Sequence, residues 1–273
     1  MIASRPFRGG ALLFIGAFVL YLALPLVATL LFALATRWTT TILPEQLTVG
    51  WLVRTVREPR FAETIRRSLT LGGVVILADL ILVVPALVVM TVRQSRWRPL
   101  LDAASLIPYA MPGVVLALAL IRFYGAAAPA LLNTPWLLGA AHAALALPIV
   151  YWAVLNNLRA IRLHDLYEAS LMCGARWTQT LRYVVLPNIR TGMAIAAVAG
   201  FTASFTDFAV ANFVVGGSWL TFSVWQGYIM HQNGHIMAVT SIVSLIVTMA
   251  TTSLLIRLAR ETGAAPRQAR GGG

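Results

Sequence analysis

Long apolar runs dominate this chain, and several of the more polar segments between them carry arginines. Six runs reach about 20 residues or more, the length that crosses the hydrocarbon core of a bilayer as a helix. The predicted spans cover residues 11–35, 68–92, 100–124, 136–155, 189–215 and 236–258. The pattern therefore predicts an all-α polytopic membrane protein with six transmembrane helices.

Two interruptions of the apolar pattern predict local irregularity. Pro108 and Pro112 lie at the start of the third run, and each removes a backbone donor, so a straight helix is not expected there. Residues 36–67 are mixed in polarity, which predicts an external loop that contains a short interfacial helix.

Composition supports the membrane interpretation and removes one alternative. The chain has 273 residues, of which 59% are hydrophobic and only 11% charged, whereas soluble domains carry about 25% charged residues. The net charge of +12 comes from arginines that flank the apolar runs, as in membrane anchoring, so nucleic-acid binding is not expected. Cys173 is the one cysteine, which excludes an internal disulfide.

The arginine distribution predicts the orientation in the inner membrane. Arginines are about twice as frequent in the segments assigned to the inside, which places both termini in the cytosol. Six arginines in the loop 36–67 oppose this assignment. The first run is longer than the ~7–15 residues of a signal-peptide core, so residues 1–10 are expected to be a cytosolic N-terminus before an uncleaved helix. Residues 261–273 are expected to be a disordered cytosolic tail.

The segment 164–187 is polar and amphipathic and lies between the fourth and fifth spans. Asp165 is a good N-cap and Glu168 follows three residues later, which predicts a capping box. Gly174 suits a left-handed bend, after which Leu186 and Pro187 lead into the fifth span. From the residues alone, a helix that only lies on lipid headgroups remains an equal alternative.

A resemblance distinguishes these alternatives. Glu168-Ala169-Ser170, then Gly174 after three residues, then Val184, Leu186 and Pro187 resemble the EAA loop of permease subunits of binding-protein-dependent ABC importers, of the type I, MetI-like class. Ser170 replaces the family's Ala and Val184 its Ile, while the spacing is kept. In that family this helix is the coupling helix. The resemblance therefore implies ATPase-coupling roles for this set: Asp165, Glu168, Ala169, Ser170, Gly174, Leu186 and Pro187.

The resemblance also implies partners. They are two ABC ATPase subunits, a second permease (identical or a paralogue), a periplasmic solute-binding protein and membrane lipids. ATP and Mg²⁺ would be used by the ATPase, because this chain has no G-x-x-x-x-G-K-[ST] phosphate loop of its own. No catalytic residue and no bound cofactor are expected on this chain.

The fifth run carries the hypothesis about the solute. The stretch 204–217 resembles permeases for polyamines, ferric iron, thiamine and phosphonates, which implies a small solute of the polyamine, aminoethylphosphonate or ferric iron type. Asp207, with Ser204 and Asn212, is a candidate for the translocation path, because an ionisable residue in a span faces a cavity or a partner. The favoured alternative is a structural hydrogen bond from Asp207 to Thr202, Ser204, Thr206 or a neighbouring helix, and Asp79 is expected to be structural.

Other function classes are weaker. A stand-alone secondary transporter or channel would use Asp207 and Asp79 as ion sites and would need no ATPase. A membrane enzyme would need a cluster of His, Asp or Glu that the sequence lacks. His231 and His235 are four apart but are separated by Gly234 and have no third ligand nearby, so a loop pair is favoured over a metal site.

Overall fold

The computed structural model describes residues 6–261, and this part of the chain is helical almost throughout. The α-helices in chain order are α1 Pro6–Leu34, α2 Gly50–Arg57, α3 Pro59–Val92, α4 Arg98–Ala110, α5 Gly113–Ala127, α6 Pro135–Ala160, α7 Leu163–Met172, α8 Trp177–Gln179, α9 Leu186–Thr206, α10 Ala209–Val214, α11 Phe222–Met230 and α12 Gly234–Glu261. A π-helical turn, Thr180–Val185, joins α8 to α9 without a break.

Five helical stretches between residues 6 and 261 are long and apolar enough to cross a membrane: Gly10–Leu34, Pro59–Val92, Pro135–Ala160, Trp177–Thr206 and Gly234–Arg257. The pair α4 and α5 provides a sixth if it is counted as one bent span, with 94° between the two helices. The predicted all-α polytopic fold is confirmed.

The third predicted span, 100–124, is broken at its prolines. Pro108 lies in the last turn of α4, and Pro112 is the N-cap of α5. The chain is extended at Met111, where φ is −99° and ψ is 125°. The prediction that this run would not form a straight helix is confirmed.

The fifth predicted span, 189–215, does not exist as one helix, and this prediction is wrong. The helix begins far earlier, at Trp177, and ends at Thr206. Asp207 then adopts extended backbone angles (φ −67°, ψ 118°), and α10 follows as a separate short helix. Apolar composition continues through the break, so hydropathy alone could not locate it.

The remaining spans agree with prediction more closely. The helix of the second predicted span, α3, starts at Pro59, inside the predicted external loop 36–67. The same loop contains the short helix α2. Residues 1–5 of the predicted N-terminus and 262–273 of the predicted tail lie outside the described residues.

The chain divides into two compact units. The first contains the residues up to Ala62 together with Gln226–Ile246. Its small core is formed by Ala33, Ala238 and Val239, which are almost fully buried.

The second unit contains Glu63–Trp225 and the chain from Val247 onward. Small residues allow its helices to pack closely, as is common in membrane proteins. A Cβ atom at Gly72 would lie 2.8 Å from the Phe201 ring, so α3 and α9 are in direct contact. Likewise, Gly192 on α9 lies directly against the Asn157 side chain on α6.

Candidate functional site

The helix α7 occupies the segment that the sequence singles out, but it starts earlier than predicted. Arg162, in the left-handed conformation (φ 50°), precedes the first helical residue, Leu163. Asp165 therefore lies in the first turn and pairs with Arg162 at 2.7 Å, while Glu168 lies 3.1 Å from His164 Nε2. The predicted capping box is wrong, because Asp165 lies inside the helix, where its charge still favours the positive helix end.

The end of α7 is a Schellman motif built on Gly174. This glycine has a φ of 75°, as the predicted left-handed bend requires. Its N–H donates to Leu171 O at 2.8 Å, and the N–H of Ala175 donates to Ser170 O at 3.1 Å. These two bonds satisfy carbonyls that the helix end would otherwise leave open.

Ser170 joins α7 to the helix that follows. Its hydroxyl is buried, donates to Tyr167 O at 2.7 Å and lies 2.8 Å from the Thr180 hydroxyl. Thr180 is the first residue of the π-helical turn, which leads into Leu186 and Pro187 in the first turn of α9. Ser170, which replaces the alanine of the EAA pattern, therefore links α7 to the start of the long helix Trp177–Thr206 through a hydrogen bond.

One face of α7 is exposed along its whole length. Asp165, Glu168, Ala169 and Met172 are exposed and follow the i, i+3, i+4, i+7 spacing of one helix face, whereas Leu163 on the opposite face is 1% exposed. Met172 is 90% exposed although it is apolar. We call these four residues the α7 stripe.

A second polar cluster lies where α9 ends. The His142 ring on α6 lies between two residues of α9 and its break, with Nδ1 2.8 Å from Ser204 Oγ and Nε2 3.2 Å from Asp207 Oδ2. Asp207 Oδ2 also accepts the N–H of Ala211 at 3.0 Å, and its backbone carbonyl accepts the Ser223 hydroxyl at 2.6 Å. Because a carboxylate only accepts, Nε2 donates to Asp207, and Nδ1 is paired with the Ser204 hydroxyl, so both ring nitrogens have a partner.

This cluster explains why the helix breaks. Asp207 leaves the helix and caps α10, and His142 holds its carboxylate from α6. The structural alternative, a hydrogen bond to a neighbouring helix, describes the observed contact. Thr206 is not involved, because its hydroxyl donates to Thr202 O. Asn212 is half-buried on α10 and donates its backbone N–H to Phe208 O, so it is not brought into the cluster.

The residue types Ser, His and Asp also form hydrolytic triads, but this arrangement differs from one. In a triad the serine bonds Nε2 and the aspartate Nδ1. Here the two nitrogens are exchanged, and Ser204 is 6% exposed. The geometry suits a structural contact between helices better than a catalytic nucleophile. His142 could hardly be singled out from the sequence, because its only signal is one polar residue in an apolar run.

In the described part of the chain, the other polar residues considered from the sequence make no hydrogen bond with the His142–Asp207 cluster. Asp79 is 1% exposed on α3, and its Oδ2 has no hydrogen-bond partner among the described residues. His235 is the second residue of α12, and its ring stacks between Phe32 and Trp51 while its Nδ1 lies 2.8 Å from Phe32 O. Within residues 6–261 no group of three or more His, Cys, Asp or Glu side chains could hold a metal ion.

Solved structures share this fold. Inward-facing conformations of the MetNI methionine ABC transporter match with a TM-score of 0.61 and 19% identity over 76% of this chain and 99% of that one. A bacterial ABC transporter for import of the acidic polysaccharide alginate matches with a TM-score of 0.67 and 14% identity, over 93% of this chain and 95% of that one. The bacterial alginate ABC transporter in complex with alginate pentasaccharide-bound periplasmic protein matches with a TM-score of 0.72 and 15% identity, over 95% of this chain and 96% of that one.

A sequence profile matches most of the chain. The profile describes the binding-protein-dependent transport system inner membrane component and covers residues 86–261, which include α7 and the His142–Asp207 cluster. The chain therefore belongs to the family of inner membrane components of binding-protein-dependent transport systems.

Proposed function

We propose that this chain is an ABC importer permease that receives the energy of ATP hydrolysis through α7. The observation that carries the proposal is the α7 stripe, a row of exposed side chains on a helix whose other face is buried. An apolar side chain that is 90% exposed, Met172, gains free energy when a partner covers it. The Schellman end and the Ser170–Thr180 contact tie this helix to α9, so a displacement of α7 reaches the long helix directly.

The proposed assembly contains two ATPase subunits, a second permease and a periplasmic solute-binding protein. The EAA-like segment supports the second permease, because the importers that it resembles are expected to contain two permeases. The apolar stretch Gly10–Leu34 of α1 is unburied in its most apolar window, as a helix that faces lipid or another permease would be. The solved alginate transporter was captured with a periplasmic binding protein, which supports the same partner here.

The proposed solute is small and carries a cationic or amine group, of the polyamine, aminoethylphosphonate or ferric iron type. Asp207 supports this class, because its side chain is 21% exposed and both of its carboxylate contacts use Oδ2. The second oxygen, Oδ1, is then available to accept a hydrogen bond from an ammonium group. A fixed carboxylate of this kind would favour solutes that present a cationic or amine group to it.

The test is ATP-driven uptake by proteoliposomes that contain the permease, its ATPase and its binding protein. Met172→Asp adds a charge to the α7 stripe, and we expect it to abolish ATPase association and uptake. Ile42→Asp is the matched control, because Ile42 is 95% exposed in a loop and receives the same change. Normal uptake by the Met172 variant, or solute uptake without the ATPase, would reject the proposal and favour a stand-alone transporter.

A further inference from the structure

A cavity of about 260 Å³ lies where α3 ends, beside α7. It is lined by Val89, Val92, Arg93, Tyr167 and Trp177. The two valines come from the last turn of α3, and the aromatic rings come from α7 and α8 and meet edge to face at 5.7 Å. Aliphatic, aromatic and guanidinium groups therefore share one small cavity.

The Arg93 guanidinium brings a positive charge that nearby acids do not neutralise. Among the described residues, ion pairs join Arg67 to Glu63 and Arg162 to Asp165, and two histidine rings lie beside the carboxylates of Asp207 and Glu168. None of these contacts includes Arg93. Neither carboxylate of α7 is paired with Arg93, so the charge in the cavity is open to an anionic ligand.

The depth of the cavity limits what that ligand can be. Val92 is the last residue of the candidate span Pro59–Val92, so we expect the cavity to lie near the level where hydrocarbon gives way to lipid headgroups. Tryptophan and tyrosine are enriched at this level of the bilayer. The abundant anions there are lipid phosphates, and basic pockets between membrane helices bind such headgroups.

We propose that this cavity binds the headgroup of an anionic phospholipid. Arg93 donates hydrogen bonds to the phosphate, and the rings of Tyr167 and Trp177 pack against the glycerol carbons. A lipid bound in this way contacts the end of α3, α7 and α8 together, and so stabilises the position of α7 relative to α3. The proposal depends on the membrane location of the chain and not on the ATPase-coupling role.

The experiment is native mass spectrometry of the purified full chain in detergent, titrated with phosphatidylglycerol or with phosphatidylcholine of the same acyl chains. Arg93→Gln is compared with Arg96→Gln. Arg96 belongs to the same turn but lies over the Trp97 ring at 5.5 Å and does not line the cavity. We expect phosphatidylglycerol to bind Arg93→Gln about fivefold more weakly than the wild type, the effect of one interfacial arginine, and Arg96→Gln to bind it normally.

Each other result overturns the proposal. Equal phosphatidylglycerol binding by both variants and the wild type would show that Arg93 does not hold the headgroup. If phosphatidylcholine bound the wild type as strongly as phosphatidylglycerol does, and bound Arg93→Gln equally well, the cavity would not be selective for anionic lipid. If millimolar inorganic phosphate displaced phosphatidylglycerol, the site would be one for soluble phosphate. Melting temperatures measured in parallel confirm that both variants are folded.

Discussion

The end of α7 at Gly174 allows the sharpest mutational test, because the backbone and side-chain effects separate there. Apart from Gly174 and its two chain neighbours, no heavy atom lies within 4 Å of the position that a Cβ would occupy, so an added Cβ enters open space. The φ of 75° is the left-handed region, which costs an ordinary L residue about 1–2 kcal/mol and asparagine less. Gly174→Val and Gly174→Asn therefore add side chains of similar size and differ mainly in backbone strain.

The expected effect of Gly174→Val is local opening of the Schellman motif. A cost of about 1–2 kcal/mol raises the open population by about 5- to 30-fold. The amides of Gly174 and Ala175 donate the two bonds of the motif, so hydrogen exchange of a peptide covering 170–176 should accelerate by the same factor. ATP-driven uptake should fall with it, whereas Gly174→Asn should stay close to wild type in both measurements.

Two outcomes would refute this reasoning. If the valine and asparagine variants exchanged at the same rate, the left-handed backbone would not limit the end of α7. If the valine variant opened the motif but transported normally, a fixed α7 end would not be needed for coupling.

Three further substitutions test the helix contacts. Gly192→Ala drives a methyl group into the Asn157 side chain and should lower the melting temperature through an overpacking cost of about 1–3 kcal/mol, while Gly73→Ala, with open space around it, should not. His142→Leu removes a bond to the Asp207 carboxylate and should cost about 1.5–3 kcal/mol in chemical denaturation, with His142→Gln, which keeps a donor, closer to wild type. Tyr151→Phe removes the hydroxyl on α6 that donates to the Asp102 carboxylate on α4 at 2.5 Å, so hydrogen exchange of the α4 amides should accelerate. Unchanged hydrogen exchange would mean that this bond does not hold α4 on α6.

The sequence predicted the parts of this fold that depend on composition. Apolar length located the spans other than the fifth, and the two prolines predicted the break at Met111 because proline lacks a backbone donor. Gly174 was predicted to take a left-handed conformation, because glycine alone adopts it without cost. These features are local, so neighbouring residues are sufficient to predict them.

The features that the sequence missed depend on contacts between distant residues. The break at Asp207 is stabilised by His142, which is 65 positions away along the chain. The start of α7 is an exception to this rule: it is set locally by Arg162, which takes a left-handed conformation that its residue type does not favour. The contact of Ser170 with Thr180 requires the chain reversal that Gly174 produces.

The most direct test of the account uses Cys173. This is the one cysteine of the chain, and it is exposed at the end of α7, next to Met172 of the α7 stripe. A maleimide reagent therefore reports the exposure of α7 in the natural sequence. A control protein carries Cys173→Ser together with Ile42→Cys, which places the thiol in an exposed loop.

If α7 docks on the ATPase, adding purified ATPase should slow the labelling of Cys173 by at least about tenfold, the effect of a 1.4 kcal/mol bias toward the docked state. Labelling at position 42 should not change. Unchanged labelling of Cys173 while the ATPase remains bound to the permease would show that α7 is not the coupling helix.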